Sequence, residues 1–192
     1  MRAGGAMDRI VRFRAGLRAH APADEVERGF AGRMLELLDA PGDPFDRDRF
    51  DPGHVTSSGY VLSPDGDDLL LIRHAVLGRW LQPGGHVEPA DGDLVASARR
   101  EVREETGLET VDLVGHCDVP FDLDIHPIPG RPGQPGHEHF DVRYLFRARS
   151  RAVRSGSDAI RAVWVPLDRV PALHTGASSG RVLHKLRKIA SR

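Results

Sequence analysis

The sequence predicts an α/β protein with a helical N-terminal extension, and three observations carry that prediction. Apolar residues recur at helical spacing between residues 8 and 39 and again from Leu94. From His54 onward, short runs alternate with period two. Between these regimes lies Ala40 to Gly53, with Pro41, Pro44, Pro52 and several aspartates, which reads as a linker. The expected organisation is therefore residues 1–53 as extension and linker, and residues 54–192 as the main domain.

Met1 to Ala6 reads as unstructured, with Met7 a candidate natural start. Ile10, Phe13 and Leu17 then keep the spacing of one helix, and Val26, Phe30, Met34 and Leu37 that of a second. Pro22, Asp24 and Glu25 mark where the second begins. This pair is read as a packing or dimerisation element, so a homodimer is among the expectations. Val55 to Leu62 and Leu69 to His74 flank the turn Ser63-Pro64-Asp65-Gly66-Asp67, a hairpin signal. Trp80-Leu81 is a short strand entering Gly84-Gly85.

A helix follows, then an expected strand over Val111 to Val119 that buries Cys117 as a small hydrophobe. Pro120 to Gly136 is rich in proline and glycine and reads as a long loop. His139 to Arg149 alternates, with Phe140, Val142, Tyr144 and Phe146 on one face. Ala159 to Pro166 is a further strand, and Ser179 to Ala190 a closing helix.

The chemistry concentrates in Arg100-Glu101-Val102-Arg103-Glu104-Glu105. Glutamates at i, i+3 and i+4 share one helix face. Two unit charges about 4 Å apart repel by roughly 1 kcal/mol in water and roughly 4 at a protein surface. On a helical wheel from Leu94, the apolar residues Leu94, Val95, Ala98 and Val102 form one stripe. Glu101 and Glu105 border it, Glu104 lies just outside, and Arg99, Arg100 and Arg103 point largely the other way. A surface helix stitched by Glu/Arg pairs is the plain alternative. Against it stands Trp80-Leu81-Gln82-Pro83-Gly84-Gly85-His86, which leads through an acidic turn into the helix. Glycines let backbone oxygens approach a ligand, and Asp91 or Asp93 can cap the helix. Oxygen donors of this kind suit Mg²⁺ or Mn²⁺.

These residues resemble the Nudix hydrolase signature, G-x5-E-x7-R-E-U-x-E-E-x-G-U with U aliphatic. Gly85, Arg100, Glu101, Val102, Glu104, Glu105, Gly107 and Leu108 match it. Asp91 stands where the family has glutamate, and the spacer to Arg100 is one residue longer than the pattern. The resemblance implies an α/β/α sandwich with a mixed sheet. It also implies Mg²⁺-dependent hydrolysis of the pyrophosphate in a nucleoside diphosphate linked to another moiety. A sugar nucleotide such as ADP-ribose and a nucleoside triphosphate both fit. By the same resemblance Glu101, Glu104 and Glu105, with a carbonyl of Gly84 or Gly85, hold the metal, and Arg100 orients the glutamates.

Outside the signature, Glu138 is a candidate further acid or base, with Asp158 its rival. His126, Arg131, His137 and His139 are candidate substrate contacts. His137 and His139 share a strand face, and with His126 they make a candidate zinc set. No fourth ligand stands near in sequence except Cys117, so lining the substrate cleft is the preferred reading. Trp80, Phe121, Phe140 and Tyr144 are available to stack a base, with the core as their plain alternative.

Two rival functions remain open. One is a non-catalytic nucleotide-sensing module, against which the three retained glutamates argue. The other is an isomerase on the same fold, which needs an active-site cysteine.

Composition limits the partners. The chain of 192 residues carries 27 Lys and Arg against 28 Asp and Glu, a net charge of −1, which argues against general nucleic-acid binding. Cys117 is the single cysteine, so no internal disulfide can form, and a reducing cytoplasm is expected. No apolar run is long enough for a membrane span.

Overall fold

The computed structural model describes residues 3–156, 159–174 and 176–190. It contains, in order, α1 (Ala3–Ala19), α2 (Glu25–Asp39), β1 (Gly53–Leu62), β2 (Asp68–His74), β3 (Trp80–Leu81) and β4 (Gly84–His86). There follow α3 (Leu94–Thr106), β5 (Val111–Leu113), β6 (Asp122–Ile128), β7 (His137–Ala148), β8 (Ala159–Pro166), α4 (Val170–Leu173) and α5 (Ser179–Ala190). The strands form one sheet in the order β3-β2-β1-β7-β5, with β4 on β1, β6 on β7 and β8 on β2. Pairs of β2 with β1, β3 and β8, and of β7 with β5 and β6, are antiparallel. Along β1 and β7, by contrast, contacts climb together: Glu138 N–H donates to Pro52 O, Thr56 Oγ1 to Asp141 Oδ1, and Ser57 Oγ to Val142 O. Those two strands therefore run parallel, and the sheet is mixed.

The chain divides into two compact units, each assembled from three stretches. The first comprises Met1–Ser57, Gly85–Ser97 and Gly115–Arg143. Here α1 begins at Ala3, so the expectation of an unstructured start is corrected for Ala3 to Ala6, while Met1 and Arg2 lie outside the described residues. Phe13 and Leu17 are buried as their spacing predicted. Asp24 caps α2 by accepting from Glu27 N–H. The buried face of α2 differs from the apolar reading, however. It carries Glu27, Ala31, Met34, Leu37 and Leu38, while Val26 is exposed.

The reason is Glu27, fully buried at 0% exposure. Its carboxylate accepts from Ala23 N–H at 2.7 Å and Leu123 N–H at 3.2 Å, and sits 2.9 Å from His20 Nε2. Leu123 belongs to β6, so α2 satisfies a backbone donor that the edge of that strand would otherwise leave unpaired.

β6 itself corrects a second expectation, since Pro120 to Gly136 is not one long loop. Asp122–Ile128 pairs in register with β7, from Asp122 opposite Arg143 to Ile128 opposite His137. Leu123 and Ile125 are buried. The prolines obscured the alternation, yet Pro127 is tolerated because, among the described strands, this one pairs only with β7. The hairpin beyond it, with Arg131 bridged to Gln134, is irregular.

The second unit comprises Ser58–Gly84, Ala98–Val114 and Tyr144–Arg192. Leu69, Leu70, Leu71 and Ile72 of β2 are almost wholly buried, as are Leu145 and Phe146 of β7. α5 adds Val182, Leu183 and Leu186 from its apolar face. α3 approaches β1 closely: a Cβ at Gly59 would meet Val102 Cγ2 at 2.7 Å and the Phe146 ring at 3.0 Å.

The strand after the signature helix is shorter than expected. β5 ends at Leu113, and Gly115 takes φ +109°, which turns the chain away. Cys117 consequently lies exposed in the following turn, not buried in a strand. Among the described residues no helix is long and apolar enough to cross a membrane.

Candidate functional site

α3 presents its carboxylates in graded exposure. Leu94, Val95, Ala98 and Val102 are buried, which fixes the helix's rotation. Glu105 is then 3% exposed and the Glu101 side chain 13%, while that of Glu104 is 41% open to solvent. The order follows the wheel read from sequence.

Arg100 departs from that reading. It does not face away, since its side chain is also only 13% exposed. Its Nη1 donates to Glu101 Oε1 at 2.8 Å and to Glu104 Oε2 at 3.1 Å. One guanidinium thus holds two of the three glutamates by charge-assisted hydrogen bonds. Arg99 is the solvent-side cation, resting over the Phe146 ring at 5.6 Å.

Glu105 is held from the other side, accepting from Gly84 N–H at 2.9 Å. Gly84 must be glycine for this approach: a Cβ there would lie 2.3 Å from Ser58 Oγ and 2.8 Å from its Cα. The glycine loop and the helix carboxylates are therefore hydrogen-bonded to each other.

The turn before α3 separates the two aspartates. Asp93 is the cap, since its Oδ1 accepts from Ala96 N–H at 2.7 Å. Asp91, buried at 8% exposure, closes the turn: its Oδ2 accepts from Glu88 N–H at 2.8 Å. Arg9 of α1 reinforces it with bonds to the carbonyls of Glu88 and Asp91. The shorter acid at the family's glutamate position is thus used to lock the loop. Replacing Asp93 with Ala should lower stability by about 1 kcal/mol, read as a shift in the chemical-denaturation midpoint; no change would contradict the capping role.

The remaining candidates are spread more widely. Glu138 lies on the β7 face opposite His137 and His139, and its carboxylate is ion-paired with Arg33 of α2. Arg131 lies in the exposed hairpin, donating to Gln134 Oε1 at 2.6 Å. His126 is on β6 opposite His139, with Nδ1 3.2 Å from Asp124 Oδ2. Phe140 and Tyr144 are core residues at 1% and 3% exposure, so they are not base-stacking surfaces. Asp158 lies outside the described residues.

Sequence reasoning missed two members of a histidine group in the first unit. His54 of β1 and His86 of β4 join His126, His137 and His139. Ring centres are 5.1 Å apart for His54 and His86, 4.9 Å for His54 and His139, and 5.6 Å for His126 and His139. Burial, with the neighbouring imidazoles adding to it, pushes His139 down to about 2, so its ring is neutral at ordinary pH. Burial lowers His54 as well. The only sequence signal was positional: histidines at the first residues of predicted strands and directly after the Gly-Gly pair.

Comparison with known proteins bears on the family and the fold. The NUDIX domain profile matches residues 52–186, well over half the chain. RNA pyrophosphohydrolases from two strains of Caulobacter vibrioides are 39% identical over 79 residues, spanning 40% of this chain and 45% of theirs. The chain thus aligns with somewhat under half the length of those curated relatives. Among solved structures, a C. elegans Ap4A hydrolase in a binary complex matches with a TM-score of 0.52 at 17% identity, covering 71% of this chain and 97% of that one. The NUDIX domain of Shewanella oneidensis NrtR, complexed with ADP ribose, matches with a TM-score of 0.52 at 16% identity, covering 81% and 97%. These structural likenesses show the fold.

An α/β fold with a mixed sheet and a carboxylate-bearing helix bound to a glycine loop defines the class. The chain belongs to the Nudix family.

Proposed function

We propose that the protein is a Mg²⁺-dependent pyrophosphohydrolase acting on a nucleoside diphosphate linked to another moiety, with ADP-ribose-type sugar nucleotides and nucleoside triphosphates as the substrate classes. The observation that carries the reading is the bonded set of Glu101, Glu104, Glu105, Arg100 and Gly84. A merely structural helix face has no need of a buried Glu105 tied to a glycine loop. The curated relatives, named RNA pyrophosphohydrolases, support pyrophosphate hydrolysis as the reaction class.

The donor set fits a hard divalent cation. Glu101, Glu104 and Glu105 offer carboxylate oxygens, and the Gly84-Gly85 backbone offers carbonyls, with no sulfur or nitrogen among them. Mg²⁺ or Mn²⁺ bound there supplies charge neutralisation of the diphosphate and a more acidic bound water. The chain's own contribution is positional. Arg100 keeps Glu101 and Glu104 in register, and Gly84 N–H fixes the Glu105 carboxylate. Glu104, the most open of the three, takes the role of accepting the proton from the attacking water. Glu138, the other candidate acid, is engaged by Arg33 and is assigned a supporting place. Arg131 and His126 remain the proposed substrate side.

Residues 54–192 are proposed to carry this activity, with 1–53 as an extension. The protein is proposed to be cytoplasmic and to bind neither membranes nor nucleic acid generally. Homodimerisation through the N-terminal helices is proposed as well.

A panel of nucleoside diphosphate derivatives, assayed with Mg²⁺ and Mn²⁺ for phosphate-containing products, tests the reading. Turnover of at least one is expected. Tight binding of one with turnover of none would favour a nucleotide sensor.

A further inference from the structure

The histidine group in the first unit is not absorbed by the carboxylate site. We propose that His54, His137 and His139 form a second metal site, a three-imidazole set that takes a zinc-class divalent cation and leaves a fourth position for water. One ligand atom from each of the three lies within 4.8 Å of the others.

Two features point to a ligand rather than to packing. First, His54 Nε2 and His137 Nε2 are buried without any hydrogen-bond partner, in side chains 0% and 6% exposed. A buried polar atom left unpaired costs roughly 1–3 kcal/mol, and here two occur in one cluster. Second, the other nitrogen of each ring is anchored. His54 Nδ1 donates to Arg49 O at 3.0 Å and His137 Nδ1 to Pro135 O at 2.9 Å. An Nδ1–H held by a backbone carbonyl leaves Nε2 as a free lone pair, the tautomer and orientation that metal-bound imidazoles adopt.

The spacing agrees independently. With a metal–nitrogen bond of about 2.05 Å and about 1.1 Å from nitrogen to ring centre, two imidazoles on a tetrahedral ion have centres about 5.2 Å apart. The three ring pairs here are 5.1 Å for His54 and His137, 4.9 Å for His54 and His139, and 5.2 Å for His137 and His139. Sequence accounts for the frame. His137 and His139 are two apart on β7, and His54 stands near the start of β1, which runs parallel to that strand.

Neutral nitrogen donors select Zn²⁺, Co²⁺ or similar ions over Mg²⁺. The proposed carboxylate site has the opposite preference, so the two separate by ion. The other candidate group among the described residues has His116 and Cys117 exposed, and its half-buried Asp118 is taken by Arg12 at 2.7 Å.

Titration of the chelator-stripped full-length protein with Co²⁺, followed by visible absorption, tests the proposal. One Co²⁺ per chain is expected, with the intense bands of a four-coordinate ion, displaced by Zn²⁺ but not by millimolar Mg²⁺. His54→Ala with His137→Ala should weaken binding at least 100-fold, with circular dichroism reporting the fold. His139→Ala, at the less buried position, should do the same and serves if the double variant does not fold. Glu104→Gln should leave Co²⁺ binding unchanged. Absence of stoichiometric Co²⁺ in the wild type would overturn the proposal. Binding lost in Glu104→Gln but kept in the histidine variants would overturn it equally.

Discussion

Glu104→Gln should lower Mg²⁺-dependent turnover by at least about 100-fold while leaving the melting temperature within a degree or two of wild type. The two halves of this result have separate causes. Glutamine keeps the shape and one acceptor oxygen, but it neither attracts a cation as a carboxylate does nor accepts a proton at neutral pH. Stability should hold because the Glu104 side chain is 41% exposed and is ion-paired with Arg100 at 3.1 Å. A half-exposed ion pair of that kind contributes about 0–1 kcal/mol. Arg100 retains Glu101 at 2.8 Å in the variant, so the helix face is not disorganised. The reading requires steady-state kinetics and a thermal melt on the same preparation. Near-normal turnover in the variant would remove Glu104 from the mechanism.

Arg143→Met should be the most destabilising of the substitutions considered, at about 3–5 kcal/mol. Arg143 of β7 is 4% exposed and meets three aspartates. Its Nε donates to Asp141 Oδ2 at 2.7 Å, its Nη1 to Asp122 Oδ2 at 3.2 Å and its Nη2 to Asp124 Oδ2 at 2.9 Å. Asp122 and Asp141 are themselves 0% and 2% exposed. Methionine fills similar volume but leaves these carboxylates buried without their counter-charge, so each loses a compensation that water cannot replace. Lysine should recover only part of the loss, because one ammonium cannot reproduce the fork that reaches all three. Denaturant titration of both variants reads the effect. A change below about 1 kcal/mol for Arg143→Met would mean that the aspartates find other partners.

The two predictions differ in how far sequence alone could support them. The signature helix is a local object. Its apolar stripe, its acid face and its glycine loop lie within 25 residues of each other, so periodicity and spacing carry most of the geometry. Even there, the direction of Arg100 was misread, because a wheel assigns faces by the Cα and ignores a long side chain bending back to two carboxylates. The Arg143 network was invisible for a different reason. Three aspartates around one arginine looks like ordinary surface charge until β6 is recognised, and the prolines around that strand hid its alternation. Glu27 shows the same limit, since only a neighbouring strand edge explains a buried acid on a helix. His54 lies 83 residues before His137, and no local pattern links them. Their convergence comes from the parallel pairing of β1 with β7, which is a property of topology.

The most direct test of the proposed carboxylate site is metal withdrawal from the wild-type protein during turnover of a substrate identified from the panel. With EDTA in excess, hydrolysis should fall to background, and adding Mg²⁺ beyond the chelator should restore it fully. Turnover that persists in EDTA would contradict the assignment of Glu101, Glu104 and Glu105 to a metal-dependent reaction.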